Sequence, residues 1–325
     1  MIALERVPAN PLLRPSDVHF TRASGAFNPG AVVDPRRDRV VILFRVFEEE
    51  TGRSCLGLAV SADGITVDEV WDRPAVAREQ PYEEWGIEDA RITRLAGEGR
   101  FAITYTGHSP QGPRVCLITT DDILDPARYR RHGPRIAGEN KNAVVFPERI
   151  GGRYAILHRP MPRVFFTQVA ALEEDWPRGV AILGPRPDTW RGSRVGAGAP
   201  PLRTRLGWLF PFHGATAIEQ GNVYSMGWCV LDADDPRRVR YVSDQPALAP
   251  QAAYEIQAGP IPQVDMANFR TGVRVVFPEG MVERAGDLIV YYGAADQYVA
   301  AARVNKEALL VSLEGAIARG EGAPP

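Results

Sequence analysis

The sequence predicts an all-β protein, one five-bladed β-propeller over residues 1–325 with a short C-terminal helix. Three observations predict it. Five short apolar segments resemble one another along the chain. Gly and Pro are plentiful, at 31 and 28 residues, and punctuate short runs throughout, which favours strands and turns over long helices. Helical spacing of apolar residues is confined to one stretch near the C-terminus.

The five segments run from Arg39 to Val46, Arg100 to Gly107, Arg153 to Pro160, Leu206 to Gly214 and Asp287 to Gly293. Each is of strand length and carries a polar or charged residue near its end. A turn and another apolar run precede most of them, as in Val144 to Gly152 and Val275 to Gly280. A loop and a further strand-like run follow each: Ser54 to Val60, Arg114 to Thr119, Phe165 to Ala170, Tyr224 to Leu231 and Tyr298 to Val304. The recurrence is on the order of 50–80 residues, the scale of a propeller blade with insertions. Strand, turn, strand, loop, strand is the make-up of such a blade. A β-sandwich with coincidental turns explains the repetition less well. Residues 185–201, rich in Gly, Pro and Arg, read as a loop overhanging the channel mouth where a fourth blade would begin. Asn305 to Arg319, with Leu309, Leu310, Leu313 and Ile317 at helical spacing, predicts a helix packed on the outside, and Gly320 to Pro325 a frayed tail. No stretch reads as a linker between domains.

Composition narrows the function. The chain is 45% hydrophobic and 24% charged, an ordinary globular balance. Its net charge is −2 with no long basic run, which argues against nucleic acid as a partner. Cys55, Cys116 and Cys229 are odd in number and lie in apolar runs, so buried free thiols are expected. Met1 to Arg14 lacks the apolar core of a signal peptide, and no window suits a transmembrane helix, so a cytoplasmic protein without a membrane partner is expected. The five histidines show no metal-ligand spacing, so no metal and no cofactor are expected. No Gly-rich phosphate loop opens a helix, and no G-x-S-x-G elbow occurs.

The candidate chemistry centres on Gly86 to Ile92, where Glu88, Asp89 and Arg91 lead towards the strand Phe101 to Tyr105. Neighbours in a strand point to opposite faces. Glu88 and Asp89 therefore cannot share a pocket without a bend, and one is expected to work while the other supports. An acid near a cation suits general acid catalysis. Arg91 is expected to pair with Glu88 or Asp89 and tune the acid. The channel mouth would collect Asp89 with Arg45, Tyr105, His108, Lys141, Asn142, His158, Arg159, Arg203, His213, Tyr292 and Asp296. Asn28 could add an amide donor. Aromatic faces, as at Tyr105 and Tyr292, stack on sugars, while carboxylates such as Glu88 and Asp296 bond hydroxyls. Clustered Arg and Lys imply an anion, and phosphate suits arginine forks.

Several motifs together resemble glycoside hydrolase family 130, the mannoside phosphorylases and related mannosidases. They are Phe27-Asn-Pro-Gly30, Gly86-Ile-Glu-Asp-Ala-Arg91, Lys141-Asn142 with Phe146-Pro147, Leu157-His-Arg-Pro160, Gly196 to Pro201 with Arg203-Thr204, Gly207-Trp-Leu209 with His213-Gly214, and Tyr291 to Asp296. They span nearly the whole chain, in order. The resemblance implies a five-bladed propeller and an inverting reaction on a β-mannosidic bond. It places the catalytic acid at Asp89, which would protonate the leaving oxygen through the mannose 3-hydroxyl. Inorganic phosphate would attack the anomeric carbon from the opposite face and give α-mannose 1-phosphate. Phosphate, as co-substrate, removes the need for the second carboxylate of ordinary inverting glycosidases. The resemblance places phosphate contacts at Lys141, Asn142, Arg159 and Arg203, with His213 nearby, and sugar contacts at Arg45 and Asp296. It also implies a possible homo-oligomer.

The chain departs from the family pattern in five places. Ala90 stands where proline is usual, Lys141 where arginine occurs, and Arg203 where lysine is common. Met161 to Gln168 lacks the acidic and aromatic residues of a leaving-group subsite, and Val264 to Arg274 reads as an insertion. Two alternatives stay open: a mannosidase, with Glu83, Glu84, Glu88 or Glu279 as base, and a sugar-binding propeller without activity.

Overall fold

The computed structural model describes residues 3–219, 221–256 and 272–322. The insertion expected at residues 264–274 lies largely outside them. The described chain is all-β with one helix, and its strands form five antiparallel units. After the short strand β1 (Glu5–Arg6), the first unit holds β2 (Ala23–Asp34), β3 (Arg39–Glu48), β4 (Arg53–Ser61) and β5 (Glu69–Val70). The second holds β6 (Gly86–Arg94), β7 (Phe101–Ser109), β8 (Gly112–Thr120) and β9 (Arg130–Pro134). The third holds β10 (Lys141–Val145), β11 (Tyr154–Arg159), β12 (Val164–Val169) and β13 (Val180–Leu183). In the fourth, β14 (Arg194–Ala197) and β15 (Leu202–Thr204) both pair with β16 (Gly207–Ile218), followed by β17 (Gly221–Leu231) and β18 (Val239–Val242). The fifth holds β19 (Gly272–Arg284), β20 (Asp287–Ala294) and β21 (Tyr298–Asn305). Strand β1 completes it, with Glu5 opposite Arg303, so the first and last strands share one sheet.

The five similar segments of the sequence are the second strands of these units: β3, β7, β11, β16 and β20. They read as continuous apolar runs because both faces are covered; Val40 to Phe44 and Leu288 to Tyr292, for example, are almost fully buried. The core is divided into five apolar clusters, each shared by two consecutive units. Leu58 shares a cluster with Ile103, Val115 with Ile156, Phe146 with Trp208, Trp228 with Val290, and Tyr291 with Val40. The last joins the fifth unit to the first. The first strands follow the same cycle, β2 against β6, β6 against β10, β10 against β14 and β19 against β2. Helix α1 (Lys306–Ala318) is capped by Asn305, whose side chain accepts from the Ala308 N–H. It buries Leu309, Leu310, Leu313 and Ala316 against the cluster of the fourth and fifth units. Among the described residues, no helix is long and apolar enough to cross a membrane. The three cysteines are free and buried, and burial pushes the Cys55 and Cys116 thiols up to about 12.

One arrangement occurs twice. Ahead of β6, Glu83 is fully buried and accepts from the N–H groups of Glu79 and Gln80, from Tyr105 Oη at 2.7 Å and from Arg131 at 2.6 Å. Ahead of β19, Glu255 accepts from Gln251 and Ala252 N–H, from Tyr292 Oη at 2.8 Å and from Arg6 at 2.8 Å. Tyr105 and Tyr292 were expected at the channel mouth. Their hydroxyls instead donate to these buried carboxylates, because a phenol in a packed strand must find a partner inside the core.

His158 is also part of the scaffold. It is fully buried in β11, with Nδ1 2.9 Å from the Asn140 amide and Nε2 2.9 Å from the Arg178 carbonyl. Those partners place its proton on Nε2, and burial pushes its pKa down to about 4. The unfolded chain then binds a proton that the folded chain refuses. Stability from this site is complete above about pH 6.5 and is lost as pH falls towards 4. Between pH 7.5 and 4, unfolding in urea is expected to show wild-type stability falling by roughly 3 kcal/mol more than that of a His158→Gln variant. Equal losses in the two proteins would refute this.

Candidate active site

The first strands build the site by breaking their own ladders. Pairing between first and second strands slips at Phe27/Gly30, Glu88/Arg91, Lys141/Val144 and Pro278/Gly280. In the fourth unit the break falls between β14 and β15. Each slip frees a residue from pairing and re-aims its side chain. Asn28, Asp89 and Asn142 take left-handed backbone there, with φ of 51°, 56° and 53°. Asn and Asp are the non-glycine residues that tolerate it best. The slip at Asp89 is the bend needed for adjacent carboxylates to share one pocket. Arg45 lies 3.0 Å from Glu88 Oε1 and 3.9 Å from Asp89 Oδ1.

On the acidic side, Asp89 Oδ1 accepts from Asn28 Nδ2 at 2.8 Å, and both residues are buried. Gly293 makes room for this pair, since a Cβ there would stand 2.0 Å from Asn28 Oδ1. Glu88 is held by Lys141 Nζ at 2.7 Å, Arg45 at 3.0 Å and His108 Nδ1 at 3.3 Å. Burial opposes its charge, but Arg45, Lys141 and His108 outweigh it and keep the carboxyl well below the usual range. Burial likewise opposes the charge of Arg45, yet Glu88, Asp89 and Asp296 hold it protonated. Asp296 reaches this group from the turn after β20, where Ala295 and Asp296 are left-handed.

On the other side, Arg159 ends β11 and its Nη1 lies 3.0 Å from His213 Nε2. His213 stacks on Phe277 with ring centroids 4.2 Å apart. Burial and then Arg159 push the His213 pKa well below its ordinary value, so the ring is neutral. Its Nε2 accepts from Arg159, which leaves the proton on Nδ1. Burial also lowers the Arg159 pKa, to about 10. Gly196 permits this packing, because a Cβ there would meet His213 Nε2 at 2.5 Å and Asn142 Oδ1 at 3.1 Å. His213 Nδ1, Arg159 Nε and both amide atoms of Asn142 are buried with no hydrogen-bond partner among the described residues. Such groups cost free energy unless something bonds to them, and the set offers donors to an oxyanion.

Three expectations need correction. Arg203 is exposed on β15, 5.2 Å above the Trp208 ring, with Nη1 3.4 Å from the Ala233 carbonyl. It faces away because β15 pairs along the far part of β16. Arg194 takes its place beside the cluster: it bonds Asn222 at 2.9 Å and lies close enough to depress the pKa values of Arg159 and His213. Sequence reasoning missed it by reading residues 185–201 as a loop. Residues 194–197 are a strand whose glycine is required by His213. Arg91 pairs with neither carboxylate of its own strand. Its Nη2 lies 2.8 Å from Glu279, and its Nη1 donates to the Asp89 backbone carbonyl at 2.7 Å. Among the described residues, no three His, Cys, Asp or Glu side chains gather as metal ligands would.

Known proteins similar to this chain include mannoside phosphorylases. A family model described as beta-1,4-mannooligosaccharide phosphorylase matches residues 3–314. The 1,2-beta-oligomannan phosphorylase of Thermoanaerobacter sp. is 32% identical over 93% of this chain and 97% of its own. The beta-1,2-mannobiose phosphorylase of Listeria innocua is 33% identical over 86% of this chain and 75% of its own. A solved beta-1,2-mannobiose phosphorylase from Listeria innocua, in complex with beta-1,2-mannobiose, superposes with a TM-score of 0.82 at 27% identity, covering 96% of this chain and 99% of that one. The chain belongs to glycoside hydrolase family 130, the family of the mannoside phosphorylases.

Proposed function

We propose that this enzyme is an inverting β-mannoside phosphorylase, a glycosyltransferase in the sense that it moves a mannosyl group onto phosphate, and that β-1,2-linked mannosides are its substrates. The five units are arranged as the blades of a propeller, with the site at the mouth of the central channel. The cyclic sharing of the core clusters supports this arrangement. The carrying observation is the asymmetry of the site. Asp89 lies on one side, and on the other neutral His213, Arg159 and Asn142 present buried polar atoms with no carboxylate among them. A hydrolase needs a base at that second position, and the groups there are donors or cations.

Asp89 delivers a proton to the leaving oxygen through the mannose 3-hydroxyl. Asn28 fixes the carboxyl orientation, while Arg45 and Asp296 bind the sugar. Phosphate lies against Arg159, His213 Nδ1–H and Asn142, with Lys141 and Arg194 adding charge. From there it attacks the anomeric carbon on the face opposite the leaving group. Arginine and amide donors suit the phosphate oxygens, and a fixed donor set needs no reorganisation as the bond forms. The curated relatives named for β-1,2 linkages support that choice of bond. Unpaired, buried thiols suit a cytoplasmic setting.

The test is product release from β-1,2-, β-1,3- and β-1,4-mannobiose and mannosylglucose, with and without inorganic phosphate. Mannose 1-phosphate from β-1,2-mannobiose, formed only with phosphate, is expected. Free mannose at equal rates without phosphate would overturn the reading in favour of a mannosidase.

A further inference from the structure

Asp89 holds a conformation that its own strand does not supply. Its φ is 56°, and the slip between Glu88 and Arg91 removes its carbonyl from the ladder. A buried carbonyl without a partner and a left-handed aspartate each cost free energy. Arg91 meets the first cost. Its Nη1 donates to the Asp89 carbonyl at 2.7 Å, and its Nε donates to the Gly198 carbonyl at 3.3 Å. Arg91 is itself only 1% exposed, so it needs polar partners inside the core. Glu279, fully buried at the slip of β19, lies 2.8 Å from Nη2, and burial pushes its carboxyl well above the usual range although Arg91 pulls it down. Neither Glu279 oxygen has another partner among the described residues. One guanidinium therefore ties the break points of the second, fourth and fifth units together directly behind Asp89.

We propose that Arg91 and Glu279 form a positioning pair that sets the orientation of the Asp89 carboxyl through its backbone carbonyl. This rests on the reading of Asp89 as the acid. Neither residue is assigned a contact with substrate. The fork geometry matters: one planar group spans the Asp89 carbonyl, the Gly198 carbonyl and Glu279 at once, which a lysine cannot do. With the pair removed, the Asp89 peptide is free to leave its left-handed state, and the carboxyl turns away from Asn28.

The test is the double variant Arg91→Met/Glu279→Met, which removes the guanidinium and the carboxyl at similar volume and leaves no unpaired polar group of the pair in the core. It is expected to fold and to lose about 100-fold in kcat, with KM for mannobiose and for phosphate nearly unchanged. A folded double variant with wild-type kcat would overturn the proposal. If the double variant does not fold, Arg91→Lys decides. It keeps a cation beside Glu279 but cannot span the Asp89 and Gly198 carbonyls. Its kcat is expected to fall about tenfold with both KM values nearly unchanged. A wild-type kcat would overturn the claim. If the wild-type chain itself phosphorolyses no β-mannoside, it is the functional reading that fails. Positioning is then decided by the crystal structure of the variant that folds. Loss of the Asn28–Asp89 bond supports it, and an unchanged Asp89 sinks it.

Discussion

Asp89→Asn is expected to leave the fold intact and to cut phosphorolysis by roughly 10³-fold or more. Asparagine tolerates left-handed backbone as aspartate does, and its carbonyl oxygen can still accept from Asn28 Nδ2, which lies 2.8 Å from Asp89 Oδ1. What disappears is the proton. The neighbouring carboxylates cannot replace it. Glu88 is held ionised by Arg45, Lys141 and His108. Burial pushes the Glu279 carboxyl well above the usual range, but it is fully buried against Arg91, behind Asp89. The loss should therefore depend on the leaving group. A β-mannoside of dinitrophenol departs without protonation, so Asp89→Asn should cleave it within about tenfold of the wild-type rate when phosphate is present. Circular dichroism and thermal unfolding of the variant should match the wild type. Equal losses on mannobiose and on the activated substrate would show that Asp89 supports the site without donating a proton.

Much of the architecture was legible because it repeats. Five second strands share an apolar run with a polar end, and those ends bring Arg45, His108, Arg159 and His213 to the site. The same rule misled at Tyr105 and Tyr292. A tyrosine at a strand end looks alike in sequence whether it faces a ligand or a buried glutamate, and Glu83 and Glu255 lie outside the strands that carried the pattern. The slips of the first strands were harder to see. Asn28-Pro-Gly30 reads as a turn, and nothing in adjacent Glu88-Asp89 states that the backbone bends between them. Arg194 was hidden for a different reason. Its strand has no apolar repeat, because Gly196 and Gly198 leave space for His213 and the Pro211 carbonyl. A glycine-rich segment reads as a loop unless the side chain that fills its space is known. Arg91 pairs outside its own strand, and its partner, Glu279, lies 188 positions along the chain. No local pattern points there.

Arg159→Met is expected to raise KM for phosphate about 100-fold while leaving KM for mannobiose nearly unchanged. Arg159 is only 6% exposed, and burial has already lowered its pKa to about 10. Its guanidinium is thus desolvated before phosphate arrives. A charge-assisted bond made there loses little to competing water and is worth about 1.5–3 kcal/mol; a bidentate contact reaches the expected loss. The effect should also change with pH, through His213. Arg159 is the second cause, after burial, of the lowered His213 pKa. Methionine removes that repulsion and the donor to Nε2, 3.0 Å away. The His213 pKa should then rise towards its ordinary value, although burial keeps it below. As pH falls from 8 to 5.5, a protonated His213 would supply part of the missing charge. The ratio of phosphate KM between variant and wild type cancels the titration of phosphate itself, and it should shrink over that range. A constant ratio would show that His213 does not answer to Arg159, and the two would have to be read as separate contacts. A shrinking ratio would make them one donor unit, with arginine setting the protonation of the ring beside it.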